Sequence, residues 1–261
     1  MKDVAIRVDN LGKRYFRRRA RVEETSLKEA LAGAPRLFLD NFFPRRPGKQ
    51  YAEESFWALQ GFSFELNQGQ ALGVIGKNGS GKTTLLKILA RTTKPTVGSA
   101  RLWGNVGALL DVATGFHPEL TGRENIYLNG IVLGMTKRDI ERKFDEIVYF
   151  SGVGDFVDMP IKRYSSGMQV RLAFSVAAHL EADILLLDEV LAVGDAEFRR
   201  KSMKKTTELI RSGATAVIVS HDPAAVADLC DLAILLRNGR LVFLGNVLEA
   251  LDMYRADQDN F

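Results

Sequence analysis

The chain has 261 residues, 46% of them apolar and 26% charged, which is ordinary globular usage and enough length to bury a substantial core in one or two domains. Its net charge of +4 is too mild, and its basic residues too unevenly spread, to argue for a nucleic-acid partner. The single cysteine, Cys230, excludes an internal disulfide and fits a reducing compartment, and no apolar run is long enough to span a bilayer.

The stretch VAIRVD, 4–9, alternates apolar and polar residues as an edge strand does rather than as a secretory signal, so the expected compartment is the cytoplasm. LQGFSFELNQGQALGVIG predicts two more strands about a turn at Asn67–Gly69. Residues 16–56 differ in composition from both flanks and read as an insertion into a strand-rich N-terminal subdomain. Within it Ser26 and Glu29 form a capping box ahead of Leu27, Leu31 and Ala34 at helical spacing, and Pro35 breaks that pattern before Leu37, Phe38, Leu39, Phe42 and Phe43. Arg17, Arg18, Arg19 and Arg21 precede this segment; Arg45 and Arg46 follow it. Basic flanks around an apolar-aromatic helix suit the face of an anionic membrane, and packing on its own domain explains the pattern nearly as well.

Residues 76–83, GKNGSGKT, follow the strand-like ALGVI and open the helical pattern TTLLKILAR. That context makes a phosphate-binding loop: Gly76, Asn78, Gly79, Ser80 and Gly81 present backbone N–H groups to phosphate oxygens, and the helix begun by Lys82, Thr83 and Thr84 adds its positive dipole end. Lys82 would reach the β- and γ-phosphates of ATP, and the Thr83 hydroxyl would ligate Mg²⁺. Helical patterns dominate 123–180. The runs ILLLDE and ATAVIVSH then suit buried parallel strands, separated by the polar helix AEFRRKSMKKTTELIRSG. Asp188 would hold Mg²⁺ through water, and Glu189 is placed to orient or deprotonate the attacking water. His221, at the end of its strand, falls on the carboxyl edge where α/β sheets bind ligands and is assigned to the γ-phosphate; His117 and His179 read as structural. LAILLRNGRLVFL predicts a hairpin turning at Asn238–Gly239.

GKNGSGKT, YSSGMQ, ILLLDE and VIVSH, in this order, resemble the nucleotide-binding subunits of ABC transporters over nearly the whole chain outside 16–56. The resemblance implies one domain over 1–261 of the α/β class: a P-loop nucleotide-binding domain with a mixed-sheet ATPase core, an N-terminal antiparallel β subdomain and a helical subdomain at about 112–180. YSSGM stands where the family carries LSGGQ. There Ser165 offers a hydroxyl, while Ser166 and Gly167 permit close approach to a helix N-terminus, an anion site; a helix N-cap at Ser165 or Ser166 uses the same atoms. In the family this signature faces the γ-phosphate held by the other subunit, which implies a head-to-tail homodimer enclosing two ATP molecules. Asp195, in VLAVGD, occupies the D-loop position, where the family usually reads SALD. The family's Q-loop glutamine has no counterpart near 111; Asp111 is the nearest candidate Mg²⁺ ligand, and a plain acidic loop residue accounts for it equally. Tyr15 stands for the aromatic that stacks on adenine, with Trp57 as the second candidate.

Three longer stretches, LLDVATGFHPELTGRENIYLNG, RYSSGMQVRLAFSVA and DEVLAVGDAEF, resemble the ATP-binding subunits of bacterial polysaccharide exporters. That resemblance implies ATP hydrolysis coupled to export of a lipid-linked, O-antigen-like glycan, with teichoic-acid or capsule export as the alternative. It also implies a separate multi-spanning membrane subunit and a peripheral place on the cytoplasmic face of the inner membrane. Because the sequence stops at Phe261, shortly past the hairpin, no C-terminal carbohydrate-binding domain is expected. A soluble ABC ATPase acting on nucleic acid predicts a second nucleotide domain or coiled-coil arms, and neither pattern is visible.

Overall fold

The structure, a computed structural model, describes residues 3–20, 51–110, 115–188, 194–220 and 222–259. They fall into two compact units, Met1–Lys13 with Ala58–Phe261, and Arg14–Trp57. In chain order the strands are β1 (Val4–Ala20), β2 (Tyr51–Asn67), β3 (Ala71–Ile75), β4 (Val97–Leu102), β5 (Val106–Leu109), β6 (Ile184–Asp188), β7 (Thr215–Val219), β8 (Leu232–Arg237) and β9 (Arg240–Asn246). The helices are α1 (Lys82–Leu89), α2 (Gly122–Val132), α3 (Lys137–Ser151), α4 (Ser166–Ala178), α5 (Ala196–Arg211), α6 (Pro223–Leu229) and α7 (Val247–Asp259).

The larger unit is built on a six-stranded sheet in the order β5-β6-β7-β3-β8-β9, parallel except for the antiparallel edge strand β9. One face is covered by Leu85, Leu86 and Leu89 of α1 together with Ile6, Val8, Leu59 and Leu66. The other is covered by Phe174 and Ala177 of α4, Phe198 of α5, and residues of α6 and α7 such as Val226 and Leu251. Burial on both faces is the reason ALGVI, ILLL and TAVIV are continuous apolar runs and not alternating ones. A three-stranded sheet in the order β2-β1-β4 supplies the antiparallel layer, with Ile6 opposite Leu102. The expected architecture, a mixed sheet with an antiparallel β layer and helices, is therefore present.

Helices α2 and α3 each begin in a capping box, from Thr121 with Glu124 and from Thr136 with Asp139, and they pack with α4 around Ile126, Ile140, Ile147 and Leu172. The β8–β9 turn has positive φ at both central residues, 50° at Asn238 and 76° at Gly239, the type I′ geometry that the Asn-Gly pair favours. Burial pushes the Cys230 thiol up to about 12, so this cysteine is an inert filler of the core.

The strand patterns read at 4–9 and from Leu59 onward fall short of the observed strands, because β1 runs on to Ala20 and β2 starts at Tyr51. β1 and β2 are neighbours in the sheet, and main-chain pairing needs no apolar alternation to continue. Within the smaller unit the Tyr15 and Phe56 rings lie 5.8 Å apart. The Arg14 guanidinium stands 5.4 Å from the Phe16 ring and 5.9 Å from the Trp57 ring, and its Nε donates to Ser55 Oγ at 2.8 Å. The capping box at Ser26, the apolar segment 37–43, and Arg21, Arg45 and Arg46 lie outside the described residues. No described helix is long and apolar enough to cross a membrane.

Candidate active site

β3 is buried along its whole length, and residues 76–81 carry the chain from its carboxyl end into α1. Two of the glycines are sterically required. A Cβ on Gly76, at φ 152°, would lie 2.3 Å from the Leu236 carbonyl oxygen; one on Gly81, at φ 108°, would lie 2.5 Å from the Ala58 carbonyl oxygen. A Cβ on Gly79 would meet nothing within 4 Å, so the backbone there is uncovered. The loop is clamped from below: Ser80 N donates to Lys77 O at 3.1 Å, and Gly239 N donates to Ser80 O at 3.0 Å. The β8–β9 turn thus braces the loop.

Lys82 is only 6% exposed. A buried ammonium must be compensated, and Nζ donates to the carbonyls of Gly76, at 2.8 Å, and Lys77, at 3.2 Å. A phosphate oxygen within reach of the same ammonium offers it a stronger, charge-assisted bond. Ser80 Oγ is buried with no hydrogen-bond partner among the described residues, a condition that costs about 1–3 kcal/mol and that an anionic oxygen would relieve. Thr83 is exposed and Thr84 half-buried in the first turn of α1, and Asn78 is exposed on the loop. Asp188 ends β6, two strands from β3 on the same carboxyl edge. The hydroxyl of Thr83 and the carboxylate of Asp188 are the hard oxygen donors that Mg²⁺ prefers, so the residues present fit that ion. Asp111, Glu189 and His221 lie outside the described residues.

At the start of α4 the cap is Ser165, in extended geometry, its Oγ accepting from Met168 N at 3.2 Å. Ser166 and Gly167 are exposed, and a Cβ on Gly167 would approach only Ser165 Oγ, at 3.9 Å. The first turn is therefore unobstructed, as an anion site requires. Behind it Tyr164 donates to Phe156 O at 2.6 Å, and Phe174 packs on Phe150 and Phe198 at 6.2 and 5.8 Å. Asp195 is the N-cap of α5, accepting from Phe198 N at 2.8 Å. That bond, with help from Arg171 at 3.5 Å, holds its carboxyl below the usual range.

Tyr15 and Trp57 belong to the smaller unit; Tyr15 is half-buried against Phe56, and Trp57 is exposed. His179 is buried, its Nδ1 donating to Ser175 O at 2.7 Å with the ring edge-on to Phe150, and burial lowers its pKa. His117 is exposed, and its Nδ1 accepts from Glu119 N at 3.3 Å. Two residues escaped the sequence reading. Arg171 is one. The other is Asn125, fully buried, whose Nδ2 donates to the carbonyls of His117, Leu120 and Thr121 at 3.1, 3.0 and 2.9 Å while Oδ1 accepts from His117 N at 2.7 Å. It fastens the 117–121 loop to α2, and an amide among the apolar positions of a helix was its only signal.

A glycine loop joining a buried parallel strand to a helix, with a buried lysine and a carboxylate ending a nearby strand, defines a P-loop nucleotide-binding protein. Residues 59–192 match the ABC transporter family. The chain is 42% identical over 230 residues to an O-antigen export system ATP-binding protein of Myxococcus xanthus, covering 87% of this chain and 53% of that one. It is 41% identical over 214 residues to the O-antigen export system ATP-binding protein of Klebsiella pneumoniae, covering 82% and 87%. To the teichoic acids export ATP-binding protein of Lactococcus lactis it is 41% identical over 202 residues, covering 77% and 43%. The chain thus spans about half the length of the first and third of these relatives. Among solved structures, the post-hydrolysis dimer of the ATP-binding cassette MJ0796 bound to ADP and Pi superposes with a TM-score of 0.69 at 20% identity over 93% of this chain and 98% of that one. The chain belongs to the ABC transporter family.

Proposed function

We propose that this chain is the ATP-binding and ATP-hydrolysing subunit of an exporter of a lipid-linked, O-antigen-like polysaccharide. It works as a homodimer on a separate multi-spanning subunit, peripherally at the cytoplasmic face of the inner membrane. The phosphate cradle around Lys82 is the observation that carries the nucleotide half of this reading, and the relatives named for O-antigen export support the cargo. The likeness to the teichoic acids export protein of Lactococcus lactis favours teichoic acid as the second cargo reading.

Each residue then has a task. Lys82 and the amides of 78–84 hold the β- and γ-phosphates of ATP. Thr83 and Asp188 would hold Mg²⁺, with Asp111 reaching it through water; when bound, the ion neutralises charge developing on the transferred phosphoryl group. Glu189 accepts the proton of the attacking water, and His221 contacts the γ-phosphate. Tyr15, or Trp57 in its stead, stacks on adenine. The first turn of α4 in the second copy closes the site with the hydroxyls and amides of Ser165, Ser166 and Gly167, and Asp195 lies where the copies communicate. Positioning and charge stabilisation supply most of the catalysis.

A site completed by two copies has a kinetic signature. Activity per chain rises with protein concentration across the range where sedimentation shows monomer passing to dimer in the presence of ATP. Constant activity per chain across that range contradicts a two-copy site.

A further inference from the structure

We infer that Arg171 is a positioning residue for hydrolysis, acting through Asp195 to hold the anion-binding turn of α4 in register with α5. The inference rests on the two-copy reading above. α4 carries the turn of Ser165, Ser166 and Gly167 at its start and Arg171 further along the same helix. The two Asp195 oxygens serve different elements. Oδ1 accepts from Phe198 N at 2.8 Å and so caps α5, while Oδ2 lies 3.5 Å from Arg171 Nη1 on α4.

A second cation ties α5 to the neighbouring helix α3. Lys201 of α5 donates to Phe150 O at 3.1 Å, in the last turn of α3, and lies 4.6 Å from the Phe150 ring. Gly152, the C-cap of α3, is close enough that a Cβ there would sit 3.8 Å from Arg171 Nη2. Beneath these polar contacts Phe150, Phe174 and Phe198 meet at 5.7 to 6.2 Å. Ring packing sets the separation of the three helices, and the ion pair adds a charged contact between α4 and the start of α5.

Asp195 is 60% exposed at its side chain, and such a pair adds little to stability. Its consequence lies in geometry instead, because a misplacement of about 1 Å of a group that contacts the transferring phosphate costs on the order of a hundredfold in rate.

Two substitutions isolate the pair. Asp195→Asn keeps the N-cap, since asparagine caps as well as aspartate, and removes the charge. Arg171→Gln removes the opposite charge. In the full-length protein each lowers kcat for ATP about tenfold while KM stays within about twofold. The double variant is no slower than either single variant to within about twofold, because the two groups act as one unit. The urea midpoint of Asp195→Asn stays at the wild-type value. Wild-type kcat in both single variants, or losses that multiply in the double, overturns the inference and leaves the proposed function standing. A wild-type chain that does not hydrolyse ATP overturns both.

Discussion

Lys82→Ala lowers ATP hydrolysis by about a hundred- to a thousandfold and removes nucleotide binding with it. The effect follows from where the ammonium sits. It is buried under the loop, and the carbonyls of Gly76 and Lys77 fix its position. Removing it deletes a buried formal positive charge at the loop, and the carbonyls of Gly76 and Lys77 lose the bonds that Nζ gives them. The fold survives, because alanine is the best helix former and the position lies in the first turn of α1. Lys82→Arg does not rescue, because a planar guanidinium presents its donors in a fixed fork where the lysine offers a compact ammonium to the carbonyls of Gly76 and Lys77. Binding of a fluorescent ATP analogue and phosphate release report the two losses separately. A Lys82→Ala protein with more than about a tenth of wild-type turnover contradicts the assignment.

Glu189→Gln separates binding from chemistry. Asp188 ends β6 on the carboxyl edge of the sheet, the edge from which the phosphate loop also leaves β3, and Glu189 follows it in the sequence. Glutamine keeps the shape and the hydrogen-bonding reach but cannot take a proton, and loss of a general base costs about a hundred- to ten-thousandfold. ATP affinity stays at the wild-type level, and the closed two-copy state accumulates because it is not discharged. Hydrolysis at half the wild-type rate or better removes Glu189 from the role.

Much of this was legible in the sequence where the physics is local. ILLLDE and ATAVIVSH read as buried strands because a sheet covered on both faces demands unbroken apolar runs, while ALGVI read only as a strand. Asn238–Gly239 read as a turn because only that pair type tolerates positive φ twice. The phosphate loop was legible because its glycines answer to close contacts, at Gly76 with Leu236 and at Gly81 with Ala58, that no side chain survives. The capping ambiguity between Ser165 and Ser166 was not resolvable from letters, since either hydroxyl serves; backbone geometry settles it for Ser165. The reach of β1 to Ala20 was hidden because strand pairing can continue without a core-facing pattern. Arg171 and Asp195 meet only when α4 and α5 pack, and nothing near either residue in the chain announces the other. Asn125 was hidden for the same reason, its carbonyl partners being brought to it by the fold of the 117–121 loop.

The central claim is that this ATPase drives a glycan exporter in the membrane, and the most direct measurement of it is capture of the Glu189→Gln protein, with ATP and Mg²⁺, from its native membranes. Mass spectrometry then identifies the proteins and lipids retained. The account predicts one multi-spanning protein together with a lipid-linked sugar, released when ATP is withheld. Recovery of nucleic acid, or of no membrane protein at all, contradicts it.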